Sequence, residues 1–562
     1  MSEAPETRPA SLSSWPMALA VFALAFACFL PALGAGFVDM DDGPNFVANT
    51  NYRGLAWTNL HWMFTTFHMG HYQPLSWITL ALDYLVWGMD ARGYHLTSVV
   101  LHSATAVGFF FLSRRLLRAG GAGDEAEVAG GALFAALVFA MHPLRVESVA
   151  WITERRDVLA GLFYVASLAA YVKMQDDLEK PGYAKVLVLF ACSLLAKAWA
   201  VTMPVVLLVL DRYPLRRREG LGSLVAEKVP FFVLSGLFAV SAGMAQSEIG
   251  ATRTLAQYGV AERLAQACYG LAFYVAKTLV PLGLYPLHKL EDPVVATSPA
   301  YLACGAAVVV VAGAAFALRR RAPAVPAALL AYAITVLPVL GLVQSGSQKV
   351  ADRYSYLACL PLALLGAVAA IRLARRVGRG PVLATGAALL LALGALTWRQ
   401  AGTWKDAVTL WSHAVEVEPS SAILWSNRAT ALEQAGRMDE ALADYRHSLE
   451  LDPADPRTRL NLGLAYTKVG RIPDAMAEWT TLLQRTPGYC EAHFCLGVGN
   501  MKTGQVAQAE SEFRAATECE PNYVEAWSGL AQVLKAQGRT QEAAEALQRR
   551  SLITTPWHRP YS

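Results

Sequence analysis

From Met17 to Thr397 the sequence returns again and again to uncharged apolar runs of the length needed to cross a bilayer core about 30 Å thick. Backbone polar groups in lipid must be satisfied within the chain, and runs of this length do so as helices. The expected class is therefore all-α, with a polytopic helical bundle in the membrane. Hydrophobic residues make up 55% of the chain and charged residues 16%. The net charge of +4 is spread along the sequence, which bears on topology and gives no support for binding nucleic acid. Eight cysteines include no CxxC, and Cys28, Cys192, Cys268, Cys304 and Cys359 fall in apolar segments as small core residues. The first run, after Arg8, reads as an anchor with a cytoplasmic N-terminus rather than a cleaved leader, because so many spans come after it.

Lys and Arg concentrate in cytoplasmic loops, so two basic loops must be separated by an even number of spans. The clusters are Arg114, Arg115 and Arg118; Lys173, Lys180 and Lys185; Arg212 and Arg216 to Arg218; Arg319 to Arg321; and Arg372, Arg375, Arg376 and Arg379. They define eleven expected spans: 17–35, 94–113, 129–141, 157–173, 184–196, 198–210, 228–245, 300–318, 324–343, 355–371 and 380–397. The stretches beginning at Tyr72 and Leu264 carry polar residues, Trp and Tyr, and read as helices near the outer interface. The membrane domain is expected over 1–398, and the odd count puts everything after it on the non-cytoplasmic side.

A repeat array is expected over 399–555, with a tail at 556–562. Pro419, Pro453, Pro487 and Pro521 are 34 residues apart, as are Gly436, Gly470, Gly504 and Gly538, and Ala441, Ala475, Ala509 and Ala543. This is the tetratricopeptide period of helix, turn and helix, with Gly and Ala read as the points where the two helices approach and Pro ending the second. "WKDAVTLWSHAVEVEP", from Trp404, reads as the second helix of a leading half-repeat. Concave solenoid faces bind extended peptides or partner helices, so a protein or peptide partner is expected. Cys490 and Cys519 could pair as a disulfide, but two buried free thiols are expected.

Parity places several polar groups on one side: Asp39, Asp41 and Asp42 in the first outer loop, "HPLRVESVAWITERRD" from His142 in the second, Lys197 at a hairpin tip, and "QKVADRYSYL" from Gln348 in the fifth. Basic residues there run against the positive-inside bias, so Arg145, Arg155, Arg156, Lys349 and Arg353 call for a pairing partner or an anionic ligand. The plain pairings are Arg155 or Arg156 with Glu154 or Asp157, and Arg353 with Asp352.

"FVDMDDGPNFVANTNYRGL", "YQPLSWITLALDYLVWGMDARGYHLTSVVLH", "HPLRVESVAWITERRDVLAG", "LLAKAWAVTMPVVLLVLD" and "ADRYSYL" resemble, in order and spacing, the transmembrane and tetratricopeptide repeat-containing O-mannosyltransferases and their bacterial relatives, within the GT-C glycosyltransferase superfamily. The resemblance implies sugar transfer from a polyprenyl-phosphate donor to an acceptor, a protein or peptide hydroxyl, on the non-cytoplasmic face. It also places the superfamily's acidic catalytic motif on Asp41 and Asp42, with Asp39 one residue outside it.

Inverting transfer from a lipid phosphosugar needs one base for the acceptor hydroxyl, and the phosphate leaves as an anion without a general acid. Desolvation and a neighbouring carboxylate would raise an Asp and make it a better base. Arginine suits the lipid phosphate because its planar fork binds phosphate oxygens in pairs. The donor-phosphate candidates are Arg353 first, then Arg155, Arg156 and Lys197; Asp39, Arg145, Glu147 and Asp352 are supporting candidates. Asp41 and Asp42 could instead hold a divalent cation as cofactor. His71, His95, His102 and His142 lack the paired spacing of a zinc site and read as interfacial or satisfied core histidines. A membrane-anchored repeat scaffold, a transporter and an oligosaccharide transferase are the competing functions.

Overall fold

The computed structural model describes residues 14–176, 182–248, 250–343, 346 and 348–553; Arg8, Lys180 and the expected tail at 556–562 lie outside them. The chain divides into two compact units, the first ending at Asp406 and the second beginning at Ala407. The division falls just beyond the break expected at 398/399 because the last helix of the first unit runs on to Gly402. Helices dominate both units, and the strands among the described residues are one two-stranded ribbon.

In the first unit the helices are α1 (Trp15–Cys28), α2 (Trp57–Thr65), α3 (Pro74–Trp87), α4 (Ala91–Ala119), α5 (Glu125–Ala140), α6 (Val146–Ala150), α7 (Arg155–Asp176), α8 (Tyr183–Ala196), α9 (Met203–Arg212), α10 (Leu221–Glu227) and α11 (Val229–Glu248). They continue with α12 (Val260–Leu279), α13 (Pro299–Leu318), α14 (Ala324–Val336), α15 (Ser355–Ala358), α16 (Leu360–Val377) and α17 (Arg379–Gly402). The central helix α4 packs on α1, α5 and α7, and α7 packs on α8. Local chemistry sets the boundaries. A capping box starts α5 earlier than hydropathy alone suggests: Asp124 accepts from the Glu127 amide at 2.8 Å while Glu127 accepts from the Asp124 amide at 3.0 Å.

Five helices are individually long and apolar enough to cross a membrane: Ala91–Ala119, Ile152–Gln175, Val229–Glu248, Pro299–Leu318 and Arg379–Gly402. Counting each of two bent pairs as one span gives seven, and Trp15–Cys28, Tyr183–Ala196 and Ala324–Val339 are shorter apolar helices. Among the described residues, five to seven helices and not eleven thus have the length and composition of a full span. The expected span at 198–210 is a 3-10 turn over Ala198–Thr202 leading into the ten residues of α9. Proline explains the bends. Glu125–Ala140 meets Pro143–Ala150 at 55°, and Asp352–Ala358 meets Leu360–Val377 at 60°. Pro143 forces His142 into an extended conformation, and Pro361 in the first turn of α16 has no amide to donate. The expected second outer loop is consequently mostly buried helix, from Pro143 to the start of α7. Strands β1 (His288–Lys289) and β2 (Gln348–Val350) pair antiparallel, and β2 leads into the turn that carries Arg353.

The second unit consists of α18 (Ala407–Val417), α19 (Ala422–Gln434), α20 (Met438–Leu451), α21 (Pro456–Lys468), α22 (Ile472–Arg485), α23 (Cys490–Lys502), α24 (Val506–Cys519), α25 (Val524–Ala536) and α26 (Thr540–Ser551). As expected, α18 is a lone second helix, and each later pair is a hairpin. The repeated Ala441, Ala475 and Ala509 are fully buried where helices meet. The repeated glycines do something else. Gly436, Gly470, Gly504 and Gly538 have φ of 76–78°, and a Cβ on any of them would meet nothing within 4 Å. They end the first helix of each hairpin in the left-handed conformation, and the next residue's amide reaches back to a carbonyl five residues earlier, as from Arg437 to Leu432 at 2.8 Å and Arg471 to Tyr466 at 2.9 Å. The expectation of two free thiols is also corrected. Cys490 opens α23 and Cys519 closes α24, so antiparallel packing brings their Cα atoms to 5.5 Å and the two form a disulfide.

Candidate functional site

Asp41 and Asp42 are consecutive, yet they sit in different surroundings. Asp42 is buried, and both its oxygens are acceptors: Oδ2 from the Val38 amide at 2.9 Å, Oδ1 from the Thr153 amide at 3.1 Å and from Thr153 Oγ1 at 2.7 Å. It ties the first loop to the segment just before α7. Burial pushes its carboxyl up to about 7 even against these three donors. Asp41 is half-buried, and no hydrogen bond is made to its carboxylate among the described residues. Desolvation raises it, the Arg156 and Arg353 guanidinium groups pull the other way, and Glu154 and Asp39 add to the rise. Asp39 is exposed at the rim.

The cations beside Asp41 are organised by one carboxylate, Glu154. It is fully buried and takes Arg156 at 2.7 Å, Lys197 at 2.8 Å and Arg353 at 3.3 Å. Lys197 also pairs with Asp157 at 2.6 Å, and an extended backbone between α8 and the turn after it puts it there. Arg353 is additionally bound by Glu147, donates from Nη2 to Gln348 Oε1 at 2.6 Å, and lies 5.4 Å from the Trp151 ring. Trp151 in turn stacks on Trp404, centroid to centroid at 6.0 Å. Residues from separated segments thus converge on one place.

Not every candidate joins them. Arg155 is sealed in the core by Asp83 at 2.7 Å and donates to Ser98 Oγ at 2.9 Å and to the Tyr94 carbonyl, so it has neither the expected partner nor a free face. Arg145 is buried and holds Ser355 through its carbonyl at 2.7 Å and Oγ at 2.9 Å, which fixes the turn after Arg353. Asp352 does not pair with Arg353; its nearest cationic candidate is His288 Nε2 at 3.9 Å. Lys349 pairs with Glu291 at 2.6 Å. Among the described residues no three His, Cys, Asp or Glu side chains are grouped to hold a metal ion, and a cation shared by Asp41 and Asp42 would have to displace Val38 and Thr153 from Asp42.

Three of the four histidines are core residues: His102 bridges Tyr356 Oη at 2.8 Å and the Ala140 carbonyl at 3.1 Å, His142 meets the Thr278 carbonyl at 3.0 Å, and His95 faces the Gly36 carbonyl through Nε2 at 3.4 Å but leaves its buried Nδ1 without a partner among the described residues. His71 differs, because it lies within electrostatic reach of Arg156, Lys197, Glu154 and Arg353. Glu154, named from the sequence only as a pairing partner for Arg155 or Arg156, and His71 were not proposed there as site residues. For Glu154 the signal was present, as the acid inside "TERRD". For His71 none was.

Between α4, α7, α9, α14 and α16 lies an apolar cavity of about 110 Å³. Phe109, Tyr164, Leu168, Leu357 and Pro361 are among its walls, and Leu357 is one helical turn beyond Arg353.

Family models described as TPR repeat and Tetratricopeptide repeat match residues 430–470 and 500–556. The protein O-mannosyl-transferase tmtc2 of Xenopus laevis is 31% identical over 234 residues, 38% of this chain and 27% of that protein. Tmtc1 of Drosophila melanogaster, also named a protein O-mannosyl-transferase, is 32% identical over 188 residues, 32% of this chain and 21% of that one. The human protein O-mannosyl-transferase TMTC2 is 34% identical over 159 residues, 27% of this chain and 18% of the human one. The matches thus span 18% to 27% of these relatives' own length. Among solved structures, MamA covers 27% of the chain at a TM-score of 0.25 and 15% identity. Over part of its length, therefore, the chain is similar to the tetratricopeptide repeat-containing protein O-mannosyl-transferases.

Proposed function

We propose that the chain is a membrane glycosyltransferase that moves a sugar from a polyprenyl-phosphate donor to a hydroxyl of a protein or peptide on the non-cytoplasmic face. The observation that carries this reading is the uncommitted Asp41 carboxylate beside Arg156 and Arg353, within a cluster gathered from distant loops. Asp41 takes the proton of the acceptor hydroxyl as its oxygen attacks the anomeric carbon. The bond from that carbon to the phosphate oxygen breaks, its electron pair stays on the lipid phosphate, and configuration inverts. Negative charge grows on the phosphate as the bond opens, and Arg353, Arg156 and Lys197, gathered on Glu154, are the cations that would meet it. Asp42 sets the loop, and Glu154 sets the cations.

The apolar cavity, whose lining includes Leu357 four residues after Arg353, supports a donor with a hydrocarbon chain. The Cys490–Cys519 disulfide supports an oxidising, non-cytoplasmic setting for the repeats, and a tetratricopeptide array is suited to holding an extended acceptor. The names of the relatives support mannose as the sugar. The test is to reconstitute the full chain with labelled polyprenyl phosphomannose and hydroxyl-bearing peptides and to weigh the products. A peptide heavier by one hexose is expected. Failure to use any polyprenyl phosphosugar, or transfer of a whole oligosaccharide, overturns the reading.

A further inference from the structure

The membrane unit ends at Asp406, and the residues just before that end are built into the candidate site. Thr403 turns the chain out of α17: its amide and its Oγ1 both donate to the Gln400 carbonyl, at 3.1 and 2.7 Å, and the Trp404 amide donates to the Ala401 carbonyl at 3.2 Å. After this turn the Lys405 carbonyl accepts from the Gly36 amide at 3.0 Å, and Gly36 lies in the loop that carries Asp41. Trp404 is buried and lays its ring against that of Trp151, with the two planes 29° apart. Two adjacent residues thus reach the two halves of the site, Lys405 the loop of the proposed base and Trp404 the side of the cations.

Trp151 is the link to those cations. Its ring lies 5.4 Å from the Arg353 guanidinium carbon, and its carbonyl accepts from the amide of Glu154, the acid on which Arg156, Lys197 and Arg353 meet, at 3.0 Å. The Trp151 indole N–H is buried and makes no hydrogen bond among the described residues, so the ring is located by what packs on it. Removing a packed neighbour forfeits contacts that fall off within an ångström and frees such a ring to tilt. The ring matters to Arg353 because it attracts a guanidinium without occupying an N–H group, whereas a carboxylate competes with a phosphate for the same donors. Of five N–H donors, Arg353 has acceptors for three among the described residues, on Glu147, Glu154 and Gln348, which leaves donors for a phosphate.

We propose that Trp404 is a positioning residue for the donor: through Trp151 it keeps the Arg353 guanidinium where a lipid phosphate can bind. This rests on the glycosyltransferase reading above. The test is a double-mutant cycle on the full chain, with Trp404→Leu, Trp151→Leu and the two together, read by the Kd for polyprenyl phosphate and by thermal unfolding. Each single variant should bind the lipid about 10-fold more weakly, and the double variant no more weakly than Trp151→Leu, because Trp404 acts only through that ring. Trp404→Phe keeps an aromatic face and should weaken binding only about 3-fold; it carries the cycle where the leucine variant does not fold. Unchanged binding in a folded Trp404 variant, or an effect that adds to that of Trp151→Leu, overturns the assignment and leaves the glycosyltransferase reading standing. Should the wild type not bind polyprenyl phosphate, that reading fails and the assignment falls with it.

Discussion

Arginine paired with an acid serves opposite ends in the two units. In the array, Arg437–Glu440, Arg471–Asp474 and Arg539–Glu542 recur at one position of three of the four hairpins, three residues apart in sequence and with side chains 38–57% exposed. In the membrane unit, Arg353 reaches Glu147 across 206 residues and Lys197 reaches Glu154 across 43, with side chains at most 16% exposed. The first kind of pair is a consequence of helix geometry and adds little, because water and salt screen it. The second kind carries a desolvation cost that only mutual pairing offsets, so losing one partner strands the others. Charge that is easy to place decorates an architecture, whereas charge that is hard to place marks where chemistry is done.

The sharpest way to break this contrast is Glu154→Gln. Three cations would lose their shared carboxylate, and we expect a loss of about 3–5 kcal/mol in stability, read by thermal unfolding in detergent, together with loss of transfer. Next in size is Gly470→Ala, which puts a Cβ on a residue at φ 78° and should lower stability by about 1–2 kcal/mol although it removes no contact. Glu440→Gln should leave both thermal unfolding and transfer essentially unchanged, since its pair with Arg437 is an exposed one. An equal effect from Glu154→Gln and Glu440→Gln would erase the distinction. A pH profile sharpens it further. Desolvation raises Asp41, and as a base it works only when deprotonated, so turnover should fall on acidification at a pH above the ordinary Asp value of about 3.9.

How far the sequence could be read splits along the same line. The array was legible because its contacts are local and repeat every 34 residues, and only the reason for its glycines and its disulfide waited for the backbone. In the membrane unit, the structure brings Arg156, Lys197 and Arg353 together on Glu154, while Arg155, Arg145 and Lys349 of the same expected group go elsewhere. Of the expected pairings, Arg156 with Glu154 forms, whereas Arg155 and Arg353 find other partners. Arg155 and Arg156 are neighbours in sequence, but a helix sends them to different faces, one to Asp83 and one to Glu154. Nothing near Asp42 in the sequence announces Thr153, 111 residues away. Full-length spans were overcounted because prolines and the break at Lys197 shorten helices that hydropathy treats as whole.

The division of labour between Asp41 and Asp42 is the central claim, and one side-by-side measurement addresses it: donor binding, turnover and thermal unfolding of Asp41→Asn and Asp42→Asn. Asp41→Asn should bind polyprenyl phosphomannose and unfold like the wild type while transfer falls about 10²–10⁴-fold. Asp42→Asn places an amide where Val38 and Thr153 donate, so it should lose about 1–3 kcal/mol of stability and keep measurable turnover. Full turnover in Asp41→Asn, or complete loss in Asp42→Asn at unchanged stability, would contradict the account.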